Sequence, residues 1–222
     1  MKKIDTKDGS ESFFNDLVGE GYHSNTGAIE ESMEKFVKPA LIKDGFCVLD
    51  ICFGIGYNTL CALHEHSKLS IVGIENDIKI ISEIKNVKVK EELSKDYELV
   101  KSVSKQIEEK SKTKRNNQLE AESSDNKGNK LKLILGDARQ DVRKYSDKFD
   151  AVFLDPFSPK KCPEMWTKEF FLDIHNSMKS RGILTTYSCA KIVRDNLKLA
   201  GFTVQDGPCV GRRSPSTIGE KK

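Results

Sequence analysis

Four short apolar runs, at 46–51, 69–75, 131–135 and 149–154, constrain this chain more than any other feature. Each is rich in Val, Ile, Leu or Phe with little polar alternation, which fits strands buried on both faces. Helical spacing starts near Asn58, Asp77, Arg139 and Thr167. The pattern continues with a strand at 182–187, a helix at 190–199 and a strand at 202–205. Strands alternating with helices make βαβ units, so an α/β domain with a largely parallel sheet is expected. Ahead of this frame, Ile29, Met33, Phe36 and Val37 mark a helix within 28–40.

Residues 86–130 break the pattern, with Lys, Glu, Ser and Asn dominant. Up to about Lys112, a stripe of Leu93, Tyr97, Val100, Val103 and Ile107 predicts a charged helix, whereas 113–129 reads as a flexible loop. The segment is therefore expected to be a charged insertion within a single domain spanning 1–222. No apolar stretch approaches the roughly 18 residues a membrane helix needs. The start, Met1-Lys2-Lys3-Ile4-Asp5, shows no apolar signal region, so a cytoplasmic protein is expected. The net charge of +3 hides an asymmetry: residues 1–84 hold 8 basic and 14 acidic side chains, residues 156–222 hold 12 and 6. A basic back half fits a polyanionic partner as well as a solvated face. The six cysteines form no C-x-x-C pair and no zinc spacing, so no metal site is expected.

In a doubly wound sheet, ligands bind beyond the carboxyl ends of the strands. The first run ends Asp50-Ile51-Cys52-Phe53-Gly54-Ile55-Gly56, with Asn58 opening the next helix. Its two glycines permit a tight turn and close backbone approach, but the third glycine of a dinucleotide fingerprint would fall at Thr59. A pyrophosphate site is thus disfavoured, and a plain strand–helix turn fits equally. Glu75 closes the second run, suited either to ribose hydroxyls or to a helix start. Gly136-Asp137-Ala138 closes the third, where the Asp suits an adenine amino group or a helix cap. Asp155-Pro156-Phe157-Ser158-Pro159 follows the fourth. An acidic acceptor beside a proline and an aromatic ring suits a planar, amine-bearing group, although a rigid proline turn has the same composition.

Together the four strand ends resemble the class I S-adenosylmethionine-dependent methyltransferases. That resemblance implies a Rossmann-like fold, a seven-stranded mostly parallel sheet with helices on both faces, and S-adenosyl-L-methionine as cofactor. Asp155-Pro156-Phe157 is similar to the D/N-P-P-Y/F motif of amino-methyltransferases, whose acidic or amide side chain accepts hydrogen bonds from the target amine. Over FDAVFLDPFSPKKCPEMWTKEFF, Phe149 to Phe171, the chain resembles the methyltransferase domain of the bifunctional tRNA 5-methylaminomethyl-2-thiouridine biosynthesis enzymes. That family carries F-D-A-x-F-L-D-x-F-x-P-x-x-N-P-x-M-W, with Cys162 here in place of the Asn. The resemblance extends to Gly136-Asp137-Ala138, Ala200-Gly201-Phe202, Gly211-Arg212-Arg213, Tyr22-His23-Ser24 and Glu31-Ser32. Cys52 stands where many relatives have the first glycine of G-x-G-x-G.

The resemblance implies a stand-alone methyltransferase half, lacking the FAD-dependent oxidase of the fused enzyme. It would methylate the amine of 5-aminomethyluridine at the tRNA wobble position, with a separate enzyme supplying the aminomethyl precursor. Asp155, Pro156 and Phe157 become the catalytic loop. Tyr22, Glu31, Asp50, Phe53, Gly54, Gly56, Asn58, Glu75, Asp137, Ala138 and Asp155 become cofactor contacts, with 1–45 an extension on the cofactor and substrate side. Lys160, Lys161, Trp166, Arg212 and Arg213 are candidate tRNA contacts, Trp166 being equally a packing anchor and the arginines equally a solvated tail. Two other readings are a spermidine synthase-like aminopropyltransferase and a nonenzymatic RNA-binding accessory protein.

Overall fold

The computed structural model describes residues 1–24, 26–113, 118–211 and 213–222. The chain begins with a small antiparallel sheet, β1 (Lys2–Asp5), β2 (Glu11–Asn15) and β3 (Glu20–Gly21). Helix α1 (Ala28–Glu31) continues as a π-helical turn over Ser32–Val37. The main frame follows as β4 (Cys47–Ile51), α2 (Tyr57–Glu65), β5 (Ser70–Glu75), α3 (Ile78–Glu83), α4 (Glu91–Thr113), β6 (Leu119–Ser124) and β7 (Lys130–Leu135). It closes with α5 (Ala138–Asp141), β8 (Phe149–Leu154), α6 (Lys168–Ser177), β9 (Met178–Thr186), α7 (Lys191–Leu199), β10 (Phe202–Asp206) and β11 (Thr217–Lys221).

The main sheet has the order β10-β11-β9-β8-β4-β5-β7-β6. β9, β8, β4, β5 and β7 run parallel, while β6 and β11 are antiparallel to their neighbours. Side chains of the central strands alternate between two cores. Val48, Ile71, Ala151 and Phe153 pack beneath α1 to α4. Leu49, Ile51, Val72, Ile74, Val152 and Leu154 pack beneath α5 to α7. Burial on both faces explains why these runs lack polar alternation. From β4 the chain moves outward through β5 to β7, then returns to β8 on the other side of β4. That reversal opens a crevice beyond the carboxyl ends of β4 and β8.

The main sheet has eight strands: six match runs read from the sequence, and two were not recognised there. β11, Thr-Ile-Gly-Glu-Lys, is short and charged, yet it pairs on both sides, with β9 and β10. β6 falls in the stretch read as a loop: only Leu119 and Ala121 point into the core, so its apolar signal is two residues. Within that loop expectation, 125–129 form a turn, with the Gly128 amide donating to the Asp125 carbonyl at 3.3 Å, and 114–117 lie outside the described residues. The expected stripe on α4 is fully used, with Leu93, Tyr97, Val100, Val103 and Ile107 all buried against α2, α3 and the sheet. Among the described residues, no helix is long and apolar enough to cross a membrane.

The small N-terminal sheet is tied to this frame through Glu11. Tyr57 donates its hydroxyl to the Glu11 carbonyl at 2.9 Å, and the Lys88 amide donates to Glu11 Oε2 at 2.9 Å. α4 reaches the β4–α2 turn in the same way, with the buried Tyr97 hydroxyl donating to the Ile55 carbonyl at 2.9 Å. Tyr97→Phe leaves that carbonyl without its buried donor and is expected to cost about 1–3 kcal/mol, read as a lower urea midpoint at unchanged slope. An unchanged midpoint would mean that the hydroxyl does not support the turn.

Candidate active site

At the β4–β8 crevice lies a cavity of about 580 Å³, within the usual range for a small-molecule site. The turn after β4 forms its floor. Gly54 and Gly56 have φ of 56° and 79°, and Cys52 has φ of 65°. Cys52 thus adopts the left-handed conformation a glycine would take without strain, at a cost of roughly 1–2 kcal/mol. A Cβ on Gly56 would lie 2.7 Å from the Phe53 ring and 2.9 Å from Val100, so only glycine fits.

Glu75, at the end of β5, lines the cavity and is 6% exposed. Its Oε2 accepts from the Gly54 amide at 2.9 Å, and its Oε1 accepts from Asn76 and Asp77 at 2.8 and 2.9 Å. Burial raises its pKa against those three donors. A carboxylate offers about four acceptor positions, which leaves room for a ligand hydroxyl. Asp137 lines the cavity at the end of β7 while capping α5 through the Arg139 amide, and the Arg139 guanidinium holds its carboxyl low. Both expectations for Asp137 are therefore compatible with one position. Ala138 lines the cavity beside it.

Asp155 sits at the end of β8. Asn58 donates from Nδ2 to its Oδ2 at 3.1 Å. Burial, and next the charge of Glu31, push the Asp155 carboxyl well above the ordinary range. The loop behind it is fixed by its carbonyls: Tyr187 donates to Pro156 O at 3.0 Å, and Trp166 Nε1 donates to Phe157 O at 2.9 Å. Glu20 of β3 accepts from both the amide and the hydroxyl of Ser158, which locks the N-terminal sheet onto this loop. The Phe157 and Tyr22 rings meet edge to face at 5.0 Å.

Most of the residues selected from the sequence converge here. Tyr22, Glu31, Phe53, Gly54, Asn58, Glu75, Asp137, Ala138, Asp155, Pro156, Phe157 and Lys161 all line the cavity. Several do not. Asp50 is wholly buried on β4, outside the cavity lining, and its Oδ2 accepts from Thr59 Oγ1 of α2 at 2.7 Å. It holds the start of α2 rather than reaching cofactor hydroxyls. Gly56 shapes the turn from beneath. Trp166 is 2% exposed and packs against Phe171 and Tyr187, an arrangement that fits a packing anchor. Lys160 and Arg213 are exposed away from the cavity, and Arg212 lies outside the described residues.

Among the lining residues that had not been selected as site residues are Glu20, His23 and Lys35. Glu20 gives no sequence signal, because its role depends on a loop 138 positions away. His23 is pushed down to about 4, chiefly by burial, so it stays neutral near pH 7. Lys35 forms an i,i+4 ion pair with Glu31, a pattern that resembles a solvated helix surface, yet its side chain is 3% exposed.

Residues 97–222 match the S-adenosyl-L-methionine-dependent methyltransferase family. The chain belongs to that family. An uncharacterized protein of Methanocaldococcus jannaschii is 31% identical over 98% of this chain and 59% of its own length. The tRNA 5-methylaminomethyl-2-thiouridine biosynthesis bifunctional protein of Leptospira interrogans is 30% identical over 89% of this chain. The chain spans only 32% of that relative. Among solved structures, MnmC2 of Aquifex aeolicus superposes with a TM-score of 0.80 at 29% identity, covering 100% of this chain and 70% of that one. A spermidine synthase shares the fold at a TM-score of 0.57 and 16% identity, covering 96% of this chain and 70% of that one.

The methyltransferase cavity suits the family's cofactor on its own geometry. Gly54 lines the cavity, and a Cβ there would touch the Tyr22 ring at 3.4 Å. Glu75 retains acceptor capacity, and the buried Asn58 Oδ1 has no hydrogen-bond partner among the described residues. Glu75, Gly54 and Asp137 are the groups that would hold the adenosine part.

Burial raises Asp50 from 3.8 to about 7. The folded state therefore keeps a proton that the unfolded chain loses near pH 4. This contribution to stability is full below that pH and disappears as the pH rises through about 7. Asp50→Asn keeps an acceptor for Thr59 and removes the titration. Between about pH 4 and pH 8, the variant is expected to gain on the order of 4 kcal/mol relative to the parent in urea unfolding. Parallel pH profiles for the two proteins would show that Asp50 is not the titrating group.

Proposed function

We propose that this methyltransferase acts on tRNA, methylating the primary amine of 5-aminomethyluridine at the wobble position to give 5-methylaminomethyluridine. The observation that carries the reading is Asp155, a carboxylate of raised proton affinity facing the cavity at the β4–β8 switch point, beside aromatic rings. The named activity of the Leptospira relative supports the tRNA assignment. In this reading a separate enzyme supplies the aminomethyl precursor. A tRNA substrate puts the reaction in the cytoplasm.

When bound, adenosylmethionine supplies an electrophilic methyl group on a sulfonium. The chain's own task is to present a neutral amine in line and to exclude water. An alkylammonium must first lose a proton. Asp155 Oδ1 takes it, with Oδ2 held by Asn58, and the raised affinity makes the carboxylate an effective base. The fixed carbonyls of Pro156 and Phe157 keep that loop from rotating. The Tyr22 and Phe157 rings offer faces to a splayed-out uracil. Lys161 at the rim, and the exposed Lys160 and Arg213, are the cations that would meet phosphates in this reading.

The test is incubation with labelled adenosylmethionine and tRNA carrying 5-aminomethyluridine, followed by nucleoside mass spectrometry. Methylaminomethyluridine is the expected product, and unmodified tRNA would overturn the assignment. Asp155→Ala is expected to lower the turnover rate by about 10²–10⁴-fold while S-adenosylhomocysteine binding stays within about threefold. Collapse of binding as well would move Asp155 from the amine to the cofactor.

A further inference from the structure

The amino-acid end of adenosylmethionine is a zwitterion, and its carboxylate has few places to go in this cavity. The lining is acidic, with Glu20, Glu31, Glu75, Asp77, Asp137 and Asp155. Of the lining cations, Arg139 is bound to Asp137 through two nitrogens, and Lys161 is exposed at the rim. Among the described lining residues, Lys35 is the remaining cation, and it is buried.

Lys35 projects from the π-helical turn after α1, and such turns recur at functional sites. Its Nζ donates to Glu31 Oε1, while Glu31 Oε2 accepts from the Ser24 amide at 3.1 Å. Both Glu31 oxygens are therefore engaged, and Glu31 serves as counter-ion. An ammonium has three N–H groups, and among the described residues Glu31 is the only hydrogen-bond partner of Lys35. A buried ion pair is a poor investment for stability alone, since apolar residues of similar size do as well. Nearby stands the complementary group. Asn58 is 5% exposed, and its Nδ2 is committed to Asp155. Its Oδ1 is left as an acceptor without a partner among the described residues. Lys35 is also near enough to Asp155 to hold that carboxyl down by its charge.

We propose that Lys35 binds the α-carboxylate of adenosylmethionine and that Asn58 Oδ1 accepts a hydrogen bond from its α-ammonium. The two residues then read the intact amino-acid end of the donor. They exclude decarboxylated adenosylmethionine, the donor in aminopropyl transfer, although a spermidine synthase shares the fold. The inference concerns the cofactor and stands apart from the tRNA assignment.

Calorimetric titration of the whole chain tests it with three ligands: S-adenosylhomocysteine, 5′-methylthioadenosine, which lacks the amino-acid end, and decarboxylated adenosylmethionine. The parent protein is expected to bind S-adenosylhomocysteine far more tightly than the decarboxylated compound. Lys35→Met is expected to weaken S-adenosylhomocysteine about 100-fold and to leave 5′-methylthioadenosine within about twofold. The double variant Glu31→Gln/Lys35→Met removes the uncompensated carboxylate and is expected to show the same selective loss in a stably folded protein. Retained methylthioadenosine binding reports an intact pocket in each variant. Unchanged S-adenosylhomocysteine affinity in the double variant, or equal weakening of both ligands, overturns the proposal.

Discussion

The carboxylate of Glu75 joins two turns that would otherwise be independent. By accepting from Gly54 on one side and from Asn76 and Asp77 on the other, it fixes the loop after β4 to the loop after β5. The backbone of the first loop depends on further support. Phe53 lies over β5 where Gly73 offers no side chain, since a Cβ there would come within 2.4 Å of the ring. Tyr97 holds the Ile55 carbonyl from the opposite direction. The crevice is thus shaped by a buried charge, an aromatic ring and a long helix acting on five residues.

This arrangement gives the site a particular electrostatic character. Carboxylates collect at the strand ends, and burial raises Asp50, Glu75 and Asp155. His23 beside them stays neutral because burial outweighs the pull of Glu31 and Asp8. A cavity of this kind receives cations readily and tolerates a negative ligand group only where a cation is already provided. Glu20, Glu31, Glu75 and Asp77, from the acidic first part of the chain, line this cavity, which net charge alone conceals.

The parallel core was legible because double-sided burial leaves a plain apolar signature in four runs. Strand ends were legible because ligand chemistry and topology coincide there, as at Glu75 and Asp155. What escaped was decided by tertiary packing. Lys35 and Glu31 have the spacing of a surface pair, and only docking of the α1 segment against the sheet buries them, with Thr185 of β9 donating to the Phe36 carbonyl at 3.2 Å. Asp50 and Trp166 have the chemistry of ligand contacts, yet both face inward and hold neighbouring segments. β6 and β11 carry too few apolar residues to announce themselves, because one is an edge and the other is bounded by strands that already supply the core.

The position of β11 bears on how the chain is made. Residues 217–221 slot between β9 and β10, although both of those strands precede them in sequence. During synthesis, β10 has no neighbour to pair with, and β9 presents a bare edge, until residues 217–221 leave the ribosome. Until then the nascent domain carries an open seam beside β9, one strand in from the edge of its sheet. The late arrival of those few residues closes that seam and ends the period in which another chain can pair there.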